Sequence, residues 1–261
     1  MTETTPSTAT ADQERFAYLD RRGAVAVVVM NRPDKLNAWT ESMRAEVAEL
    51  LVAAGDDDSV GAIVLTGTGR GFCAGQDFGE ARGFDQAHTE SWLAGIKAFF
   101  DVVRDQDKPT VAAVNGVAAG SGFQVALLMD VRVAHESATL GQPEVSSGIP
   151  SITGTYLMSV ALGLSRTTEL VLSGRLMTAH EAHAAGAVHE VVTGDVVTAA
   201  VARAARLAAQ PAGAVAGTKR WLRAMTERDY LAAFEFARVQ HGEAFASGAP
   251  QELMTDFLGR R

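Results

Sequence analysis

Residues 118–130 read AAGSGFQVALLMD. The stretch follows TVAAV (110–114) and precedes VRVA (131–134), short β-branched runs of the kind that form buried strands. Glycines on both sides of Ser121 put small residues between a strand and a helix, where the first backbone N–H groups of the helix have no intrahelical acceptor. The apolar turn that follows carries one amide, Gln124. A buried amide costs roughly 1–3 kcal/mol unless it finds partners, so Gln124 is either a structural amide with a local partner or part of a site.

Outward from this stretch, AVAVVVM (24–30) and GAIVLT (61–66) read as further strands. Met43, Val47, Leu50 and Leu51 lie at helical spacing in one segment between them, and Trp92, Ile96, Phe99, Phe100 and Val103 in another. Strand and helix alternate, which predicts an α/β core over 14–194. From residue 195 to 261 only helical patterns remain, in segments 195–209, 213–225 and 227–246. Their aromatic residues need cover, so this region is a helical layer over the core or an oligomerisation element. Residues 1–13 are rich in Thr, Ser, Ala and Pro without periodicity and read as a disordered tail.

Bulk properties narrow the function. A chain of 261 residues fits one domain with an appended element. A net charge of −8 argues against a nucleic-acid binder, which needs surplus Lys and Arg to displace phosphate counterions. The single cysteine, Cys73, excludes an intramolecular disulfide and a cysteine-based zinc cage, and suits a reducing compartment. The N-terminus has no apolar leader and no run reaches eighteen apolar residues, so a cytoplasmic protein away from membranes is expected. His180, His183 and His189 do not have the spacing of a zinc protease, and no metal is expected; HEAHAAGAVHEV (180–191) reads as a surface helix, a glycine cap at Gly186 and a strand. His88, His135 and His241 are isolated, and ordinary surface or packed roles are expected for them.

Two glycine-rich stretches, GTGRGFCAGQD (67–77) and GVAAGSGFQ (116–124), match neither a P-loop nor a dinucleotide fingerprint, and Ser121 lacks the flanking glycines of a nucleophile elbow. Each places small residues after a strand and before a helix. Two such loops facing one point make an oxyanion hole; each alone is equally a tight turn. Among the carboxylates Glu144 stands apart, in a loop between Pro143 and Val145 rather than on a polar helix face. Apolar surroundings raise a carboxyl pKa and suit it to proton transfer near neutral pH.

Together, NRPDKLNA (31–38), GAIVLTG (61–67), GFCAGQDF (71–78), the run 109–134 and GQPEVSSGIP (141–150) resemble the enoyl-CoA hydratase/isomerase family, the crotonase superfamily. The resemblance runs from about residue 16 to the C-terminus. It implies a spiral of ββα units with C-terminal helices that build a trimer or a hexamer, and an acyl-CoA thioester substrate with no separate cofactor. It assigns the thioester oxygen to the backbone N–H groups of Gln76 and Ser121. Lys35, Leu36, Ala74 and Phe78 match positions along the CoA, as does Asp77, which also reads as a helix cap.

Gln124 and Glu144 occupy the positions of the family's two catalytic glutamates, so one carboxylate remains. A glutamine can hold a water but cannot take its proton. The sequence therefore favours proton movement by Glu144, with isomerisation, hydration or another enolate reaction such as decarboxylation open, and a non-catalytic acyl-CoA-binding protein as the rival. GEARGFDQAH (79–88) is expected to form a mobile loop over the acyl pocket, with Glu80 or Asp85 as a substitute carboxylate. PSITGTYLM (150–158) is expected to reshape that pocket through Ile152, Thr153 and Tyr156.

Overall fold

The computed structural model describes residues 15–260, so the tail expected over 1–13 lies outside the described residues. The order is β1 (Ala17–Arg22), β2 (Val25–Met30), α1 (Glu41–Asp56), β3 (Ala62–Gly67), β4 (Gly71–Cys73), α2 (Phe78–Ala81), α3 (Gln86–Arg104), β5 (Thr110–Val114), β6 (Val117–Ala119) and α4 (Ser121–Leu128). It continues with β7 (Val131–His135), β8 (Thr139–Gly141), α5 (Ile152–Leu162), α6 (Leu164–Ser173), β9 (Leu176–Thr178), α7 (Ala179–Ala184), β10 (Glu190–Val192), α8 (Val196–Ala208), α9 (Ala212–Ala246) and α10 (Ala249–Gly259).

Three successive units each send a first strand into a six-stranded sheet, β1-β2-β3-β5-β7-β10, and a second, shorter strand into a four-stranded sheet, β4-β6-β8-β9. The pairs β3/β4, β5/β6 and β7/β8, each followed by helix, are the turns of the ββα spiral. The large sheet is parallel apart from its β1–β2 hairpin. Buried on both faces, its central strands are apolar without a polar alternation, as parallel strands under helices must be. Alternate residues divide between two cores. Val28, Ile63, Leu65, Ala112 and Val114 face the main core with Phe99, Phe100 and Phe123, while Val27, Val64, Val111 and Val133 face Val196, Ala200 and Ala204 of α8.

The four strands read from the sequence are present within one residue at each end. Three-residue strands of the second sheet carry too short a pattern to be read. Segments 213–225 and 227–246 form one 35-residue helix, α9, rather than two. No glycine or proline separates them, and Thr226 at the junction bonds back to the Leu222 carbonyl at 3.1 Å while its own carbonyl accepts from Tyr156 Oη at 2.9 Å. Tyr230 and Phe234 of α9 enter the main core, whereas Trp221, Met225 and Phe236 are exposed.

Candidate active site

The loop after β4 and the start of α4 meet. Gly75 has φ +91°, and a Cβ there would stand 2.8 Å from the Ala119 carbonyl and 3.5 Å from Ser121 N. Only glycine lets these backbones approach so closely. Trp39 reinforces the contact, its Nε1 donating to Ser121 Oγ at 3.1 Å and its backbone N to the Gly75 carbonyl at 2.9 Å. Among the described residues the backbone N–H groups of Gln76 and Ser121 have no protein acceptor, so two donors from separate loops stand at one cavity. Ser121 opens α4, which adds the positive end of the helix dipole.

Glu144 follows Pro143 at the start of a short 3-10 turn and reaches the same cavity. Gly120, at φ +56°, keeps room for it: a Cβ there would lie 3.4 Å from Glu144 Oε1. Withdrawal from water pushes the Glu144 carboxyl up to about 7; hydrogen bonds from Gln124 and Ser151 only partly offset that.

Gln124 is buried and fully engaged. Its Nε2 donates to Glu144 Oε1 at 3.0 Å and to Gln142 Oε1 at 3.1 Å, and its Oε1 accepts from Thr153 Oγ1 at 2.7 Å. Gln142, fully buried, donates in turn to the Gly120 carbonyl at 3.3 Å. Because that carbonyl can only accept, Gln142 turns its Nε2 to Gly120 and its Oε1 to Gln124, which fixes Gln124 as the donor to both Gln142 and Glu144. The sequence places Gln142 two residues before Glu144 but offers no sign of this partner.

The wall away from the loops comes from α3, α5 and α9. Trp92 donates from Nε1 to Gln76 Oε1 at 2.9 Å, and Arg44 donates to the same oxygen at 2.7 Å. Gln76 Nε2 donates to Glu80 Oε2 at 2.6 Å, so its side chain is anchored while its backbone N–H stays available. Ile152 and Thr153 line the cavity as expected, but Tyr156 turns away to Thr226. The stretch 79–88 is not a loop over the pocket: it holds the end of α2 and the first turn of α3, and Phe84 between them packs on Trp92 and Phe245. Asp85 caps α3 and pairs with His88, and Glu80 is held by Gln76, so neither brings a carboxylate to the cavity. His241, read as isolated, is in fact part of its wall.

A groove of about 520 Å³ adjoins the cavity and shares Ala74, Gln76 and Phe78 with it. Lys35, Leu36, Ala74, Asp77 and Phe78 all line this groove. Asp77 caps α2 by accepting from Glu80 N at 3.2 Å and pairs with Arg32 at 2.6 Å. Burial pushes its carboxyl up, but the Arg32 guanidinium and the capped N–H groups outweigh it and hold it below the usual range. Asp256 of α10 and Arg260 just beyond its end reach the groove, a contribution with no motif of its own. Cys73, beneath the Gly75 loop, is buried with its thiol pushed up to about 12, which leaves no thiolate for nucleophilic work near neutral pH. No helix among the described residues is long and apolar enough to cross a membrane.

The arrangement offers two convergent N–H donors, one carboxyl poised near neutrality and a groove leading away. Known proteins are similar to this chain over most of its length. The profile of the family described as Enoyl-CoA hydratase/isomerase matches residues 20–261. A probable enoyl-CoA hydratase of Rhizobium meliloti is 33% identical over 245 residues, covering 93% of this chain and 95% of that protein. The 1,2-epoxyphenylacetyl-CoA isomerase of Escherichia coli is 35% identical over 193 residues, covering 72% of this chain and 74% of that one. The crystal structure of an enoyl-CoA hydratase/isomerase from Mycobacterium paratuberculosis superposes with a TM-score of 0.85 at 29% identity, over 94% of this chain and 99% of that one. The spiral fold, the matched length and the sequence identity agree: this chain is an enzyme of the enoyl-CoA hydratase/isomerase family.

Proposed function

We propose that the enzyme shifts a double bond in an acyl-CoA thioester, with Glu144 carrying the proton. The thioester oxygen sits between the N–H groups of Gln76 and Ser121, and the CoA runs along the groove past Lys35, Leu36, Ala74, Asp77 and Phe78. Glu144 takes a proton from C2 of a 3-enoyl thioester, the freed electron pair moves onto the thioester oxygen, and the two N–H donors stabilise that oxyanion. Each such donor is typically worth ~10²–10³ in rate. Return of the proton to C4 moves the double bond between C2 and C3, and the carboxylate is regenerated. The reaction written this way uses no cofactor and no metal beyond the CoA of the substrate.

One observation carries this reading: every polar atom of Gln124 is committed to Glu144, Gln142 or Thr153. Water addition across the double bond uses a second group to hold and deprotonate the water, and Gln124 has no proton-accepting chemistry to offer. The names of the hydratase relatives favour a second reading, hydration with Glu144 as the sole base. Exposed apolar side chains on α9 support assembly into trimers or hexamers.

The deciding experiment gives purified enzyme short 3-enoyl-CoA and 2-enoyl-CoA separately and follows the conjugated thioester absorbance and the product mass. Conversion of 3-enoyl to 2-enoyl at constant mass, lost in Glu144→Gln, is the expected result. Gain of water by the 2-enoyl thioester without isomerisation overturns isomerisation in favour of hydration, and binding without turnover of either leaves a carrier role.

A further inference from the structure

His241 carries an acceptor that no protein group uses. It lies on α9, 5% exposed, with its ring 5.7 Å from that of Trp92 at an interplanar angle of 30°. Nε2 stands 2.8 Å from the Pro150 carbonyl. A carbonyl only accepts, so Nε2 holds the hydrogen and Nδ1 of the neutral ring presents a lone pair. Nδ1 is buried without a hydrogen-bond partner, one of two such side-chain atoms among the described residues. Burial also lowers the imidazole pKa, and the hydrogen bond to the Pro150 carbonyl only partly offsets it, which favours the neutral ring.

The nearby donors are already spent. Trp92 Nε1 gives its hydrogen to Gln76, and the Thr153 hydroxyl gives its own to Gln124. Yet His241, Trp92 and Thr153 line the same cavity as Gln76, Ser121 and Glu144. Buried acceptors are normally satisfied, so an orphan on a residue that lines the cavity points to a donor that arrives with the substrate.

Building on the acyl-CoA reading above, we propose that the acyl group bears a hydrogen-bond donor, in the simplest case a hydroxyl, beyond its reacting carbons, and that His241 Nδ1 accepts from it. A carboxylate in that place has no hydrogen to give and meets a neutral ring, so dicarboxylic thioesters are poor ligands. A site built to bond a hydroxyl discriminates strongly against analogues lacking it, because its own polar group is then left unpaired. His241 is thus a specificity residue rather than a catalytic one.

The test compares the affinity of butanoyl-CoA with that of 4-hydroxybutanoyl-CoA, and of the corresponding five-carbon pair, for the parent enzyme and for His241→Phe, which keeps an aromatic ring against Trp92. Calorimetry reads binding independently of turnover. Expected is a preference of about 10-fold or more for the hydroxylated member of at least one pair, abolished in His241→Phe. Should the variant fail to fold, the imidazole ¹⁵N resonances of the parent serve instead: Nδ1 moves when the hydroxylated thioester binds and stays when the plain one binds. Equal affinity within both pairs overturns the role of His241 while leaving the acyl-CoA reading intact; binding of none of the thioesters overturns both.

Discussion

Gln124 Nε2 donates to Glu144 Oε1 at 3.0 Å, so a buried amide grips the carboxyl that lines the cavity. The hydrogen bond favours the ionised form of Glu144 and ties its carboxylate to Gln124 at the cavity. On the proposed reading, in which Glu144 is the base, Gln124 positions it instead of holding a water.

Replacing Gln124 with Glu tests that exchange of roles. Two carboxyls at this spacing cannot both ionise freely, and one keeps a proton near neutral pH. Water addition to 2-enoyl-CoA is expected to rise by about 10² or more, since a positioned acid or base contributes ~10²–10⁴. Product mass against time measures it. A parent enzyme that already hydrates as fast as the variant contradicts the assignment.

If Glu144 is the base, as proposed, it sets the pH dependence of turnover. Glu144 must be ionised to accept a proton, and its carboxyl is pushed up to about 7, so kcat/KM is expected to climb as pH rises through that value. Gln124→Leu removes a hydrogen bond that favours the ionised form, and its climb is expected at higher pH. A profile flat from pH 5.5 to 8.5 argues that Glu144 is not the group whose ionisation limits the rate.

Stability should run the other way. The folded carboxyl titrates above its unfolded value, so between the two the folded state binds more protons and loses stability as pH rises, with the loss complete above about 7. Glu144→Gln removes the titration and keeps the volume. The variant is expected to be more stable than its parent at pH 8, by an order of 1–3 kcal/mol, and to lose that advantage near pH 4.5. Urea titrations at the two pH values check the difference.

Gly75→Ala strikes the donor pair without touching a functional side chain. The added Cβ meets the Ala119 carbonyl at 2.8 Å in a left-handed conformation, and the Gln76 N–H must move. A fall in kcat of about 10² is expected, with a stability loss of roughly 1–3 kcal/mol. Unchanged kcat in a folded variant removes the Gln76 N–H from the reaction.

Trp221 and Met225, four residues apart on α9, are 66% and 64% exposed. If these faces meet in a trimer or hexamer, Trp221→Glu combined with Met225→Glu is expected to lower the mass measured by light scattering to that of one chain. A parent that already runs as one chain refutes the assembly.

Local patterns in the sequence were enough for four of the five strands of five or six residues, for helices α1 and α3 and for the cap at Asp77, because apolar periodicity and capping chemistry act over a few residues; β1, whose AYLDRR is half polar, gave no such pattern. The motifs around Gln76, Ser121 and Glu144 were legible for the same reason, each lying within one short segment. The three-residue strands of the second sheet were not, since a ladder that short is held by its neighbours and not by its own pattern. Tertiary packing alone decided that α9 is one helix, that Tyr156 turns from the cavity and that residues 79–88 close into helix ends. It also decided what the single residues do. Gln124 reads as an isolated amide until Gln142, Glu144 and Thr153 close around it, and His241 reads as an isolated histidine until α9 lays it beside Trp92. A hydrogen bond depends on distance and direction in space, and those are set by packing between segments far apart in the chain.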